Sequence, residues 1–560
     1  MKKILKTFSV LICVCNASFA QNLLWTRYVA SENTEFVYSL EKDTYNNLFL
    51  AGSYYNFIDA NPGSDTFLLN TNGSSDMMII KMNSEGEFIW ASSMGGVGDD
   101  AALSAVADNY NNVYATGAFQ YICDFNPDST ENNITTHGGL DAFLLKLDNT
   151  GQFKWVIPIG GINDDYGTAI AADENGDVVL AGQFSDVVDF DPGVGSFELD
   201  ATGALSGFFA KYDSTGHLIW ANIIKSSNAG MVQPKSLTID NNGDIYLCGS
   251  FTETADFDPG IGVVEVNASY GFKGFLAKYS SDGTLLWLYL IGNEYSSDMT
   301  SVILAQNNKL YLTGSFNGTG DFDMSSGTSE RTSVGTDDAF LLKLDTSGSF
   351  NWVVAWGGSD YDIATDAIEE NGYVMVGGNF IGMSDFDPTS GISNLISTGY
   401  GGFLSRFDTA GVWLGVKQIK STSTCYPLYL VADNTENAIV AGTFAGNLEL
   451  ESGNIFTGQG STDVFIVKVK PEIATVEDFE SNNSLAVFPN PCSNEINLTS
   501  ETGSGLSEYV IYNNMGQVVQ NGTLPAAQVL SVKINLVPGL YLFELKNEFR
   551  SLGCARIIVE

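Results

Sequence analysis

The chain has 560 residues, with 25 lysines and arginines against 66 aspartates and glutamates, for a formal charge of −41. That excess of negative charge excludes nucleic acid and anionic membrane surfaces as natural partners, because both are polyanions, and it favours cations. Charged residues are only 16% of the chain, below the roughly 25% of an average soluble protein, and the 59 glycines with a 12% aromatic content point to many short strands and turns.

Lys2, Lys3 and Lys6 precede an apolar run from Phe8 to Val14, and Ser18 and Ala20 place small residues before a cut at Gln21. This is the pattern of a secretory signal peptide over 1–20. The run is too short for the ~20 residues of a membrane-spanning helix, and no later segment reads as transmembrane. Cys13 and Cys15 lack the small preceding residues of a lipidated cysteine. After cleavage Cys123, Cys248, Cys425, Cys492 and Cys554 remain, an odd number without a CxxC, which argues against a disulfide framework or a zinc site.

Three markers then recur about every 65 residues. A tryptophan strand recurs at Trp25, Trp90, Trp155, Trp220, Trp287 and Trp352, and from Trp90 onward it follows an Asp-x-x-Gly type turn. Gly-x-Phe/Tyr falls at Gly52, Gly117, Gly182, Gly249, Gly314, Gly378 and Gly442. A Phe-rich strand ends in a cation at Lys81, Lys146, Lys211, Lys278, Lys343, Arg406 and Lys468. Each copy is expected to hold four short strands, exemplified by 102–107, 113–119, 142–147 and the tryptophan strand. The expected fold over 21–470 is all-β, a seven-bladed β-propeller. The first strand, 23–29, would complete the last blade, because the last copy ends at Lys468 without a tryptophan strand of its own. A strand-only solenoid would instead need capping repeats. The last copy departs most, with Glu449-Leu450-Glu451 in place of Asp-Phe-Asp and Gly415 in the slot that Trp413 precedes by two places.

The run Gly314-Ser315-Phe316 to Asp321-Phe322, then Asp338-Ala339-Phe340-Leu341-Leu342-Lys343-Leu344-Asp345, Gly348, Trp352 and Gly357-Gly358, resembles the bacterial β-propeller repeat family known as SBBP. The resemblance implies a fold and little about activity. After a polar acidic linker at 471–484, Leu485-Ala486-Val487-Phe488-Pro489-Asn490-Pro491, Tyr512 to Val519, and Pro538-Gly539-Leu540-Tyr541-Leu542-Phe543 read as strands of a small immunoglobulin-like β-sandwich over 485–560. These runs resemble the C-terminal sorting domain of type IX secretion substrates. The resemblance implies the type IX machinery as partner and a secreted or outer-membrane-surface location. Cys492 and Cys554 are candidates to pair across this domain.

Candidate chemistry is sparse. The long loops carry Asp189-Phe190-Asp191, Asp256-Phe257-Asp258, Asp321-Phe322-Asp323 and Asp385-Phe386-Asp387. Two carboxylates at i and i+2 either clasp a hard cation, calcium being the natural one, or cap loop amides while the Phe packs beneath. Asp99-Asp100, Asp164-Asp165 and Asp360 with Asp362 are expected to make the same face strongly negative. The turns Asp173 to Asp177 and Asp240 to Asp244 lack the spacing of a calcium loop. With only His137 and His217, and no Gly-x-Ser-x-Gly, P-loop or HExxH, enzyme chemistry has little to draw on. The expected function is a monomeric secreted scaffold that binds a glycan, a protein or a cation through its acidic long-loop face. The alternatives are a polysaccharide-active hydrolase or lyase using Asp or Glu there, and a structural surface or matrix component.

Overall fold

The computed structural model describes residues 21–471, leaving out 129, 194, 228, 269, 294, 306, 434–436 and 452–453, and then 486–488, 492, 495–499, 507–512, 518–524, 529–536, 539–546 and 551–559. The expected signal peptide at 1–20 and the linker lie outside these residues. The chain divides into two compact units between Pro471 and Glu472. No helix occurs among the described residues.

The larger unit repeats one motif. Glu35–Lys42, Leu48–Asp59, Leu68–Met82 and Phe88–Gly96 pair antiparallel in chain order. Ala101–Ala107, Val113–Asp124, Asn133–Leu147 and Phe153–Ile159 do the same. Further four-stranded repeats begin at Tyr166, Val232, Ser297, Asp362 and Thr424. The last takes its outer strand from the start of the chain, where Gln21–Val29 pairs antiparallel with Asp463–Pro471. First strands of successive repeats lie side by side, and Glu35–Lys42 lies against Thr424–Ala432 of the last repeat. No sheet closes on itself by hydrogen bonding among the described residues. Sheets of up to ten strands arise because the end of a fourth strand, as at Gly95–Gly96, pairs with the tip of the next repeat's second strand, at Cys123–Asp124.

The three markers are contacts within and between these repeats. Asp148 Oδ1 accepts the amides of Thr150 and Gln152, and Gly151 completes the turn at φ +84°. Trp90 of the preceding repeat packs on that glycine, where a Cβ would come within 2.9 Å of the ring, and its Nε1 donates to the Asn149 carbonyl at 3.2 Å. Trp220 and Trp352 donate in the same way to Ser281 and Thr409. Tryptophan and turn therefore recur together because they are two halves of one contact. The cation serves the same side: Lys146 Nζ donates to the Ser214 carbonyl at 2.6 Å, and Lys81 pairs with Asp43 at 3.0 Å. At Gly117 a Cβ would lie 1.9 Å from the Ala101 carbonyl oxygen, because a bulge between Ala102 and Ser104 pushes the first strand against the second. Apolar faces of neighbouring sheets share a core, as where Phe49, Met77 and Ile79 meet Ala115, Phe119 and Phe143.

The second and third strands run further than the sequence suggested, to Asp124 and from Asn133, because the hairpin continues past a second bulge at Tyr121. Trp413 pairs with Phe407, leaving Gly415 opposite Arg406, where Trp90 stands opposite Lys81 in the first repeat.

In the smaller unit, Ala486–Phe488, Glu495–Thr499 and Val529–Lys533 form one antiparallel sheet; Val518–Leu524, Ser507–Tyr512, Gly539–Lys546 and Ser551–Val559 form another. Ile496 and Val532 of the first share a core with Ile511, Phe543 and Ile557 of the second. Cys492 is buried in it, while the side chain of its expected partner Cys554 lies outside the described residues.

Candidate functional site

The repeated acidic loops sit at the long connections between second and third strands. Asp189 Oδ1 accepts the amides of Asp191 and Phe197 at 3.0 and 2.7 Å. Asp256 does the same for Asp258 and Val264, Asp321 for Asp323 and Ser329, and Asp385 for Asp387 and Ser393. Asp258, Asp323 and Asp387 in turn accept from Gly260, Ser325 and Thr389. The intervening Phe190 is fully buried, 5.0 Å from Phe208 and 5.6 Å from Phe184 between ring centroids, and Phe257, Phe322 and Phe386 repeat that triad. Amide capping accounts for these carboxylates without a cation. Among the described residues no group of three or more His, Cys, Asp or Glu is spaced to hold a metal ion.

The acidic doublets differ from expectation in one respect. Asp99, Asp164 and Asp360 are exposed, but Asp100, Asp165 and Asp362 have no solvent exposure. Asp100 accepts the amides of Gly96 and Gln120 at 2.8 and 2.9 Å, and Asp165 those of Gly161 and Ser185 at 2.7 and 3.0 Å. Asp362 accepts the Gly358 amide and the Ser384 hydroxyl. These acids turn inward because bend amides left without a strand partner need an acceptor. Burial pushes each of the three carboxyls up to about 7. They therefore add little to the negative surface they were expected to create. His217 is exposed at its turn, and His137 Nδ1 lies 2.9 Å from Asp141.

The same long connections expose the rings of Tyr121, Tyr270 and Tyr400, the last in edge contact with Tyr361, and Tyr295 is exposed on the link from a fourth strand to the next first strand. Tyr121 occupies a corner at which every repeat has positive φ, filled elsewhere by Asn56, Asp186, Glu253, Gly318, Gly382 and Gly446. Glycine meets this conformation freely and Asn or Asp tolerates it, whereas a tyrosine there carries strain of about 1–3 kcal/mol.

A second site, which the sequence reading missed, lies where the first strands of the repeats converge. They line a cavity of about 410 Å³ rich in hydroxyls, including Ser39, Ser104, Ser236 and Thr300, into which Glu41 and Asp366 reach. The Glu41 side chain stays open to the water of the cavity, but partial desolvation by the cavity walls, reinforced by the negative charge of Asp366, pushes its carboxyl up to about 7. Burial raises Asp366 to about 6 although it accepts the Ser301 hydroxyl and the Leu430 amide, both at 2.9 Å. A carboxyl near 7 can both give and take a proton at neutral pH. Only a comparison of the repeats position by position would have found these residues. Asp366 stands where the others have Ser39, Ser104, Ala169, Ser236, Ser301 or Tyr429, and Glu41 where they have Val106, Ala171, Thr238, Ile303, Ile368 or Val431.

A pH test follows from Glu41. Its carboxyl binds a proton more tightly folded than unfolded, so stability is lost as pH rises from its ordinary value near 4.5 to about 7, and the loss is complete above that. Glu41→Gln should therefore be more stable than the parent at pH 8, by ~1–2 kcal/mol once cavity water is allowed for. The two should be nearly equal at pH 4.5. Urea melts at both pH values check this, and an equal displacement at both would mean that Glu41 titrates as it does in water.

Residues 486–560 match the family described as the secretion system C-terminal sorting domain. An uncharacterized WD repeat-containing protein of Acanthamoeba polyphaga mimivirus is 23% identical over 556 residues, covering 83% of this chain and 38% of that protein. The regulatory protein FlaEY of Caulobacter vibrioides is 23% identical over 145 residues, covering 26% of this chain and 15% of its own. The chain thus spans well under half the length of either relative. The WD40 domain of Neurospora crassa Pan2 has a similar fold (9% identity, 78% of this chain, 90% of that chain, TM-score 0.38), as does a protein of unknown function from Dyadobacter fermentans (8%, 81%, 99%, TM-score 0.38). The sorting-domain match implies a secreted or cell-surface protein that engages a secretion machinery, and no helix of the described residues is long and apolar enough to cross a membrane.

Proposed function

We propose that this protein leaves the cell by the type IX route, carried by an immunoglobulin-like sorting domain, and works outside as a seven-bladed β-propeller of the SBBP kind that binds a neutral glycan on its long-connection face. The observation that carries the binding reading is Tyr121: a large ring, 55% exposed, kept at a corner where its backbone is strained and where three other repeats use glycine. Strain retained at an exposed aromatic is better explained by what the ring meets than by the fold. Tyr270, 76% exposed, supplies a further flat apolar face on the same kind of connection, and Tyr295, 57% exposed, supplies one on the link between a fourth strand and the next first strand. Sugar rings stack on such faces through their C–H groups, while neighbouring carboxylates accept hydroxyl hydrogens and repel anionic polymers.

The test is a panel of neutral and anionic polysaccharides, with binding read by calorimetry and products assayed for new reducing ends. Binding of a neutral glycan without cleavage, weakened about tenfold or more by Tyr121→Gly, is expected; that loss corresponds to ~1.4 kcal/mol or more. The same variant should gain stability, since glycine relieves the strain at this corner. New reducing ends abolished by Glu41→Gln would instead favour the hydrolase reading, which rests on the near-neutral carboxyl in the central cavity. Absence of binding to any glycan, with Tyr121→Gly no more stable than the parent, would sink the reading of Tyr121 as a ligand contact.

A further inference from the structure

Where two repeats meet, a residue of the third strand of one lies beside a residue at the start of the first strand of the next. Backbone clasps the two together: the amide of Asp100 donates to the Ser75 carbonyl at 2.9 Å, Asp165 to Leu140 at 2.7 Å, Asp362 to Asp337 at 2.8 Å and Glu35 to Thr462 at 3.1 Å. Beside each clasp stand two carboxyl groups, Asp76 with Asp100, Asp141 with Asp165, Asp338 with Asp362 and Asp463 with Glu35, each at most 3% exposed. The members face each other closely enough for the charge of one to bear on the other.

In every pair, an oxygen sealed from solvent has no hydrogen-bond partner: Oδ1 of Asp76, Asp141, Asp338 and Asp463, and Oε2 of Glu35 as well. The second oxygen of each of those aspartates accepts a loop amide, from Asn72, His137, Val334 and Gln459. Gly95, Gly160 and Gly357 make room for the bare carboxyls, since a Cβ at any of them would lie 2.2–2.5 Å from the Asp76, Asp141 or Asp338 side chain. The other three junctions carry Ser206 with Val232, Lys273 with Ser297, and Gly401 with Cys425 in the matching places. Acids thus occupy both places or neither. If each acid merely capped its own loop, the two would have no reason to come and go together.

A buried carboxylate oxygen without a partner costs several kcal/mol, and a second carboxylate beside it adds repulsion, so each pair holds either a shared proton or a cation. We propose that each acidic junction binds one calcium ion shared by the two carboxylates, so that calcium staples neighbouring repeats at four of the seven junctions. The chemistry favours calcium over the alternatives. The carboxylates and clasp carbonyls are oxygen donors, which suits a hard cation, although the buried Cys123 thiol lies near the Asp76 and Asp100 pair and His137 Nδ1 stands 2.9 Å from Asp141. Magnesium keeps much of its water and demands a regular octahedron, whereas calcium accepts irregular, largely dehydrated oxygen sets. A chain carrying −41 also concentrates divalent cations at its surface.

The full chain, dialysed first against chelator and then against calcium chloride, is assayed for bound metal by elemental analysis and for melting temperature with magnesium as control. Four equivalents of calcium and a melting temperature raised by calcium but not by magnesium are expected. Asp76→Asn with Asp100→Asn, and separately Asp338→Asn with Asp362→Asn, should each lose one equivalent, and Asp189→Asn with Asp191→Asn in the long loop should lose none. No calcium in the parent protein, a result that needs no variant to fold, would overturn the proposal and leave a proton as the shared partner. Calcium retained at parental stoichiometry by both junction variants would overturn it equally.

Discussion

Truncation after Ser484 is expected to leave the repeat unit folded and to abolish its appearance outside the cell. The unit ends at Pro471, and its last strand, Asp463–Pro471, is already paired on both sides, with Gln21–Val29 and with Ala438–Ala445. The tail has its own core of Ile496, Ile511, Phe543 and Ile557, and the repeats have theirs, so truncation is expected to leave the repeats folded. Export should fail because 486–560 is the part that matches the sorting domain. Fractionation of cells expressing the truncated chain should find it in the periplasm, with the melting behaviour of the parent's repeat unit. Parental amounts of it in the medium would refute the sorting role, and an unfolded periplasmic product would refute the independence of the two units.

Much of this architecture was legible because its determinants are local or strictly periodic. The Trp90 and Gly151 contact recurs at fixed spacing, so each copy confirms the others, and the absence of a tryptophan strand after Lys468 pointed to Gln21–Val29 as its substitute. The capping by Asp189 is equally local, since the amides it accepts lie only two and eight residues away. The functional geometry was less visible. Whether the second acid of a doublet faces water depends on amides freed by a bend, so Asp100 and Asp99 look alike in sequence and part company in space. Glu41 and Asp366 belong to different repeats 325 positions apart and meet only because the first strands converge, which no motif records. Tyr121 is unremarkable as a residue type, and its strain appears only with the backbone angle.

The N-terminal strand should be worth a large part of the repeat unit's stability. Gln21–Val29 pairs along 464–471, Val29 is fully buried in a core shared with Val464, Ile466 and Met78, and Trp25 packs on Gly86 while Arg27 donates to the carbonyls of Glu85 and Gly86. Deleting 21–29 exposes a strand edge and removes the fully buried Val29 with the half-buried Leu23 and Trp25, where a fully buried apolar side chain is worth ~1.5–3 kcal/mol and a half-buried one less. The loss, on the order of 5 kcal/mol, is comparable with the ~5–15 kcal/mol that holds a typical domain together. Chain connectivity supplies the control. Gln21 lies opposite Pro471 in the register, so the two can be joined by a short turn like Asp148 to Gly151, which in the second repeat links third and fourth strands. In the tail-less protein, moving 21–29 behind Pro471 through such a turn should restore most of the stability that deletion removes, because the same strand reaches the same edge from the other end. Denaturant melts of the parent, the deletion and the permuted chain decide it. A deletion that melts like the parent would show that the strand contributes little, and a permuted chain no better than the deletion would place the loss in the new chain ends rather than in the missing strand.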